Sequence, residues 1–148
     1  MNIITIKAII ALLEKSITML KGLIKLDWAR YHFVAKEFEC QCGCGKTIDN
    51  IELLDVLEDI RFHFNKPITI TSGYRCEKHN REVGGSINSK HMEGIACDFK
   101  VRDVKSKEVV SYLNLLYPNK YGIGIYSRNN STDRTHLDIR PTKARWSN

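Results

Sequence analysis

HMEGIACD, residues 91–98, opens on a histidine and closes on an aspartate, with a glycine and a small apolar run between them. A step of seven could set both ends on one face of a helix. Gly94 argues against that. So does the pattern beyond it, in which Ile95, Cys97, Phe99 and Val101 alternate with Ala96, Asp98 and Lys100, the period of a strand. His91 is therefore expected in a loop that runs into a strand carrying Asp98. A carboxylate inside an apolar strand is costly to bury alone. Either a metal ion shared with His91, or an arginine such as Arg75 or Arg140, would supply the missing charge. Two ligands are fewer than the three that a catalytic zinc normally takes from protein. His136 opens a later segment, HLDIR (136–140), and two antiparallel neighbours would bring Asp98 and His136 onto one face. His32, His63 and His79 fall in aromatic, helical or turn segments and are less well placed.

Working outward, ITIT (68–71) reads as a strand, and SGYRCEKHN then turns. Residues 77–83 suit a short helix closed by Gly84-Gly85. Upstream, Asp49 or Asn50 can cap a helix whose buried stripe is Ile51, Leu54, Leu57 and Ile60, with Pro67 ending the region. Downstream, residues 105–117 look helical and stop at Pro118, and YGIGIY (121–126) is a further strand. A polar loop, SRNNSTDRT, leads to HLDIR. The pattern predicts an α+β fold: a small antiparallel sheet with flanking helices.

The first 26 residues differ. Ile3, Ile6, Ile10, Leu13, Ile17, Leu20 and Ile24 recur at alternating steps of three and four, a heptad seam on a helix. A second apolar row lies beside it, so a wide face needs covering. It could pack on its own domain, self-associate through residues 3–26, or lie on a membrane surface. Residues 1–30 are accordingly set apart as an N-terminal amphipathic helix, and residues 31–148 as the functional domain.

The chain has 148 residues, enough for one domain with a modest core, and a formal net charge of +6. That charge favours an anionic partner: nucleic acid, acidic lipid or an anionic wall polymer. No aromatic RNA-binding motif or zinc-finger spacing is present, so a nucleic-acid partner is not expected. Charged residues interrupt the apolar N-terminal run, which rules out a membrane-spanning reading of it. No cleavable signal peptide is evident, so synthesis in the cytoplasm with reduced thiols is expected, and the five cysteines are an odd number for a disulfide framework.

The run SGYRCEKHNREVGGSINSKHMEGIACDF closely resembles the zinc D-Ala-D-Ala peptidase family, and in particular its small phage and bacterial peptidoglycan peptidases. The matching elements are Ser72-Gly73-Tyr74-Arg75, His79-Asn80, Gly84-Gly85, Ser89-Lys90-His91, Gly94, Ala96, Asp98 and, later, His136-Leu137-Asp138. The resemblance covers roughly residues 36–148 and leaves the N-terminal helix outside. It implies a fold like the hedgehog N-domain and lysostaphin-type peptidases, and one Zn2+ held by His91, Asp98 and His136. The implied reaction is hydrolysis of amide bonds in peptidoglycan stem peptides, by a carboxypeptidase or an endopeptidase, as in a phage lysis enzyme acting at the wall or periplasm after release. It also implies that Asp133, three residues before His136, is the general base, with Asp138 the competing candidate or a residue that orients a ligand or an arginine. Arg75 would face the scissile carbonyl, and Ser89 would contact substrate or fix the loop of His91. A zinc-containing binding or assembly module of the same fold is the alternative. CQCGCG (40–45) with Cys76 invites a structural-metal reading, but its one-residue spacing is tighter than the usual C-x2-C, and the resemblance favours a structural loop. Cys97 is expected in the core.

Overall fold

The computed structural model describes residues 3–23, 26–127 and 133–148. Helix α1 (Ile3–Leu23) is followed by two short 3-10 turns, Trp28–Arg30 and Ala35–Phe38, and by helix α2 (Ile51–Phe64). Asn50 caps α2, its side chain accepting from the Leu53 amide at 2.8 Å, and Asn65 ends the helix in the left-handed region. Strand β1 (Ile68–Ser72), short helix α3 (Glu77–Glu82), strand β2 (Ala96–Val101) and helix α4 (Ser106–Leu116) come next. Strands β3 (Gly122–Tyr126), β4 (Arg134–Asp138) and β5 (Ala144–Ser147) complete the described chain.

The sheet runs β1-β2-β4-β3-β5, antiparallel throughout except for the parallel β3–β5 pair. Side chains alternate across a strand, and here the alternation separates two jobs. On one face Cys97, Leu137 and Ile123 line up across β2, β4 and β3 and are buried with Phe99 and Val101. Helix α2 covers this face with Leu53, Leu54, Val56, Leu57 and Ile60, and α4 adds Val109 and Leu113. Phe33 and Phe38 join the same core, which explains the aromatics in the irregular stretch before α2. The opposite face carries Asp98, His136 and Asp138.

Two differences from the sequence-based expectation matter for the site. The strand expected at 136–140 spans Arg134–Asp138, so His136 sits at its centre and Arg134 shares its face. The last strand is β5, a short segment with no clear alternation that the pattern did not reveal.

The seam of α1 is not drawn into this core: Ile10, Leu13, Ile17 and Leu20 are between 49 and 59% exposed. Ile24 and residues 128–132 of the expected polar loop lie outside the described residues. Among the described residues, no helix is long and apolar enough to cross a membrane.

Candidate metal centre and cleft

The register of β2 against β4 sets Asp98 directly opposite His136. Across the other edge of β4, His136 faces Gly124 and Asp138 faces Gly122. The GIGI alternation of β3 has a plain cause. Ile123 enters the core, while a side chain at 122 would collide with the Asp138 carboxylate and one at 124 with the Trp146 indole. The glycines leave room for the polar layer above.

His91 arrives from the loop between α3 and β2. A bulge in β1 between Ile70 and Ser72 turns the chain, and the Gly73 carbonyl then meets the His91 ring. A Cβ at Gly73 would run into the Phe38 backbone, so this turn requires glycine. A carbonyl can only accept, so Nδ1–H of His91 donates to Gly73 O at 2.7 Å, which leaves Nε2 with its lone pair. The His136 ring lies between two carboxylates, with Nε2 3.1 Å from Asp138 Oδ2 and Nδ1 2.8 Å from Asp98 Oδ1; with a metal on Nδ1, the Nε2–H would donate to Asp138. Asp138 is fully buried and gripped by Arg140, whose Nε and Nη2 each donate to it at 2.6 Å.

His91 Nε2 and His136 Nδ1 face each other at 3.3 Å, and Asp98 Oδ1 stands 2.8 Å from His136 Nδ1 and 3.4 Å from His91 Nε2. All three side chains are buried, and the donor atoms lie within 4.8 Å of one another. Burial alone would raise the Asp98 pKa, but hydrogen bonds and charge from His136 and His91 hold it well below the usual carboxylate range. Burial lowers the pKa of His91. It works against the charged form of His136 too, yet Asp138 and Asp98 outweigh it and raise that pKa. The raised His136 pKa favours a protonated ring between two carboxylates, and a metal ion shared with His91 Nε2 and Asp98 would take the place of that proton on Nδ1. Imidazole and carboxylate donors with both outer ring N–H groups anchored suit zinc.

The cluster lies at the floor of an open cleft of about 710 Å³, whose walls include Arg75, Ser89, Lys90, Arg134 and Arg140. Arg75 Nε is buried and has no hydrogen-bond partner among the described residues. Burial lowers the Arg75 pKa, although Asp98 pulls the other way. Ser89 is almost fully buried in the loop of His91.

The arginine alternative for Asp98 is narrowed by these contacts. Arg140 serves Asp138 instead, and among the described residues the guanidinium within ion-pair distance of Asp98 is that of Arg134, with Nε 3.8 Å from Oδ2. Sequence reasoning did not single out Arg134, Tyr126 or Trp146. Arg134 was detectable: at two residues before His136 it must share that face once the strand is extended. Trp146, with its ring 5.0 Å from the His136 ring, depends on β5 and had no signal of its own. Asp133 does not join the cleft wall among the described residues. Its Oδ2 accepts from the Ser106 amide at 2.9 Å, at the start of α4.

Fold and site together define a class: an α+β protein with a His-Asp-His donor cluster at the base of a basic cleft. The sequence profile described as Peptidase M15 matches residues 31–138, and the chain belongs to that peptidase family. A search of curated proteins finds no match.

The Asp138 contact gives a direct test of the ligand geometry. Asp138→Asn weakens the acceptor that orients His136, so zinc affinity should fall about 10–100-fold. A competition titration against a chromophoric chelator measures it; unchanged affinity would mean that Asp138 serves Arg140 alone.

Proposed function

We propose that this chain is a zinc-dependent peptidase that hydrolyses amide bonds in peptidoglycan stem peptides. The observation that carries the reading is the convergence of His91 Nε2, Asp98 Oδ1 and His136 Nδ1 in a family of peptidases. When bound, zinc supplies the Lewis acidity that activates water for attack at neutral pH. The chain's own groups do the rest. Gly73 O orients the His91 ring, and Asp138 would hold His136 in the tautomer that leaves Nδ1 for the metal. Arg75 lines the cleft with a fixed charge, which would stabilise the oxygen of the scissile carbonyl as negative charge develops. Ser89 positions the substrate backbone or the His91 loop. Lys90, Arg134 and Arg140 give the cleft a positive lining, which suits stem peptides rich in carboxylates. Asp133 would carry the proton from water to the leaving amine, and to do so it must turn from the Ser106 amide toward the cleft. In this reading the enzyme reaches the wall after release from the cell that makes it, as a phage lysis enzyme would.

The experiment is hydrolysis of cell-wall sacculi. Purified protein supplied with zinc should release new amino groups, and release should stop with chelator. If neither sacculi nor defined muropeptides yield amino groups, the peptidoglycan reading fails. Arg75→Ala should lower kcat about 10²–10³-fold at unchanged zinc content. Arg75→Lys should recover only part, since an ammonium lacks the planar fork.

A second reading is a zinc-containing binding module. The observation that favours it is the Asp133 contact with Ser106, together with a cleft wall in which Asp98 is the only carboxylate side chain among the described residues. A binding module would take up zinc and muropeptides and turn neither over.

A further inference from the structure

Away from the cleft, four cysteine sulfurs gather into a second cluster. Cys40, Cys42 and Cys44 come from the loop before α2, and Cys76 from the turn after Arg75; all four sulfurs lie within 4.8 Å of one another. None is in a disulfide. Cys40 Sγ and Cys42 Sγ are 3.3 Å apart, and Cys42 Sγ and Cys76 Sγ 3.5 Å. Zinc–sulfur bonds of about 2.3 Å in a tetrahedron place sulfurs about 3.8 Å apart. The cluster is therefore at ligating distance with little adjustment.

The backbone around it is arranged for thiolates. The Cys76 amide donates to Cys40 Sγ at 3.3 Å, and the His79 amide to Cys76 Sγ at 3.4 Å. Such N–H groups aimed at sulfur stabilise negative charge there. The loop closes on itself, with the Gly43 amide donating to Cys40 O at 3.1 Å and the Cys40 amide to Lys46 O at 2.8 Å. Gly43 and Gly45 hold φ of 80° and 74°, which tightens the turn enough to bring three cysteines to one side. Cys40 and Cys44 alone have C-x3-C spacing, within the usual range for a structural zinc. The close C-x-C steps that spoke against a metal are accommodated by these two glycines.

We propose that Cys40, Cys42, Cys44 and Cys76 bind a second, structural zinc ion. With four protein ligands this site has no position left for water, so it takes no part in hydrolysis. It ties the loop of residues 40–46 to Cys76, the N-cap of α3. The residue before Cys76 is Arg75, whose amide donates to His91 O at 3.2 Å. The thiolate site thus fixes the chain segment from which Arg75 reaches the cleft.

The test is metal stoichiometry on the full chain, purified in reductant and loaded with zinc. The wild type should hold about two zinc ions per chain. The cobalt-substituted protein should show the intense near-ultraviolet absorption of thiolate-to-cobalt charge transfer. The double variant Cys42→Ser/Cys44→Ser, altered only at exposed positions, should fall to about one zinc and lose that band. His136→Ala should also fall to about one but keep the band. A wild type that keeps the band with only one ion would support the thiolate site while refuting the histidine one, so the two claims fail separately. Absence of the band in fully reduced wild type would overturn the proposal without recourse to any variant. So would cysteines found paired as disulfides that take up no second ion after reduction.

Discussion

Substituting His136 with alanine should remove metal binding in the cleft and peptidase turnover together. The residue stands at the centre of β4, directly across from Asp98, and supplies one of three donors to a buried point. Its loss leaves His91 and Asp98, fewer than a stable catalytic site uses. The Lewis acidity lost is worth several kcal/mol of transition-state stabilisation, and each ~1.4 kcal/mol is tenfold in rate. Turnover should therefore drop at least about a thousandfold, with zinc at the histidine site lost in the same sample. The substitution also leaves Asp98 and Asp138 without a shared imidazole, so thermal unfolding should be recorded alongside. His136→Gln keeps polarity and volume with a weaker donor, and separates loss of metal from loss of fold. Full turnover in a folded His136→Ala protein would exclude the cluster from catalysis.

Asp133→Ala should spare the metal and remove turnover by about 10²–10⁴-fold, the usual worth of a general base. The structure makes this a sharp test, because the same carboxylate accepts from the Ser106 amide at the start of α4. A residue that only satisfies that amide contributes helix-end stability of about 1 kcal/mol and nothing to chemistry. Asp133→Asn distinguishes the two roles. Asparagine can still accept from Ser106, so a purely structural role predicts near-normal turnover and stability. The proton-carrying role predicts a folded, zinc-loaded and inactive protein. An active Asp133→Asn variant would transfer the proton to another group. An inactive one that still binds muropeptides would show that this carboxylate alone separates a peptidase from a binding module.

The strand of Asp98 was legible because its alternation is strict: Cys97, Phe99 and Val101 are core, and Asp98 stands on the other face. Helix α2 was legible for the same reason, with its apolar stripe and its Asn50 cap. The juxtaposition of Asp98 and His136 followed from antiparallel pairing once both were placed on strands. What escaped were features set by tertiary contact. Residues 134 and 135 read as polar loop, yet Thr135 is buried and Arg134 lies in the cleft, because pairing with β2 and β3 extends the strand past its apolar part. Segment β5 has four residues and no apolar alternation; it exists because β3 offers it a parallel edge. That Asp138 could hold an arginine was legible, but that the arginine is Arg140 depends on backbone direction at the strand end, which spacing does not encode. The partner of α1 was not legible either: an apolar seam demands cover without naming it.

The most direct measurement is anomalous diffraction at the zinc edge from crystals grown with zinc. A peak about 2.0–2.2 Å from His91 Nε2, His136 Nδ1 and an Asp98 oxygen is the predicted result. No peak at that point in zinc-loaded crystals, or an ion held there through the opposite ring nitrogens, would contradict it.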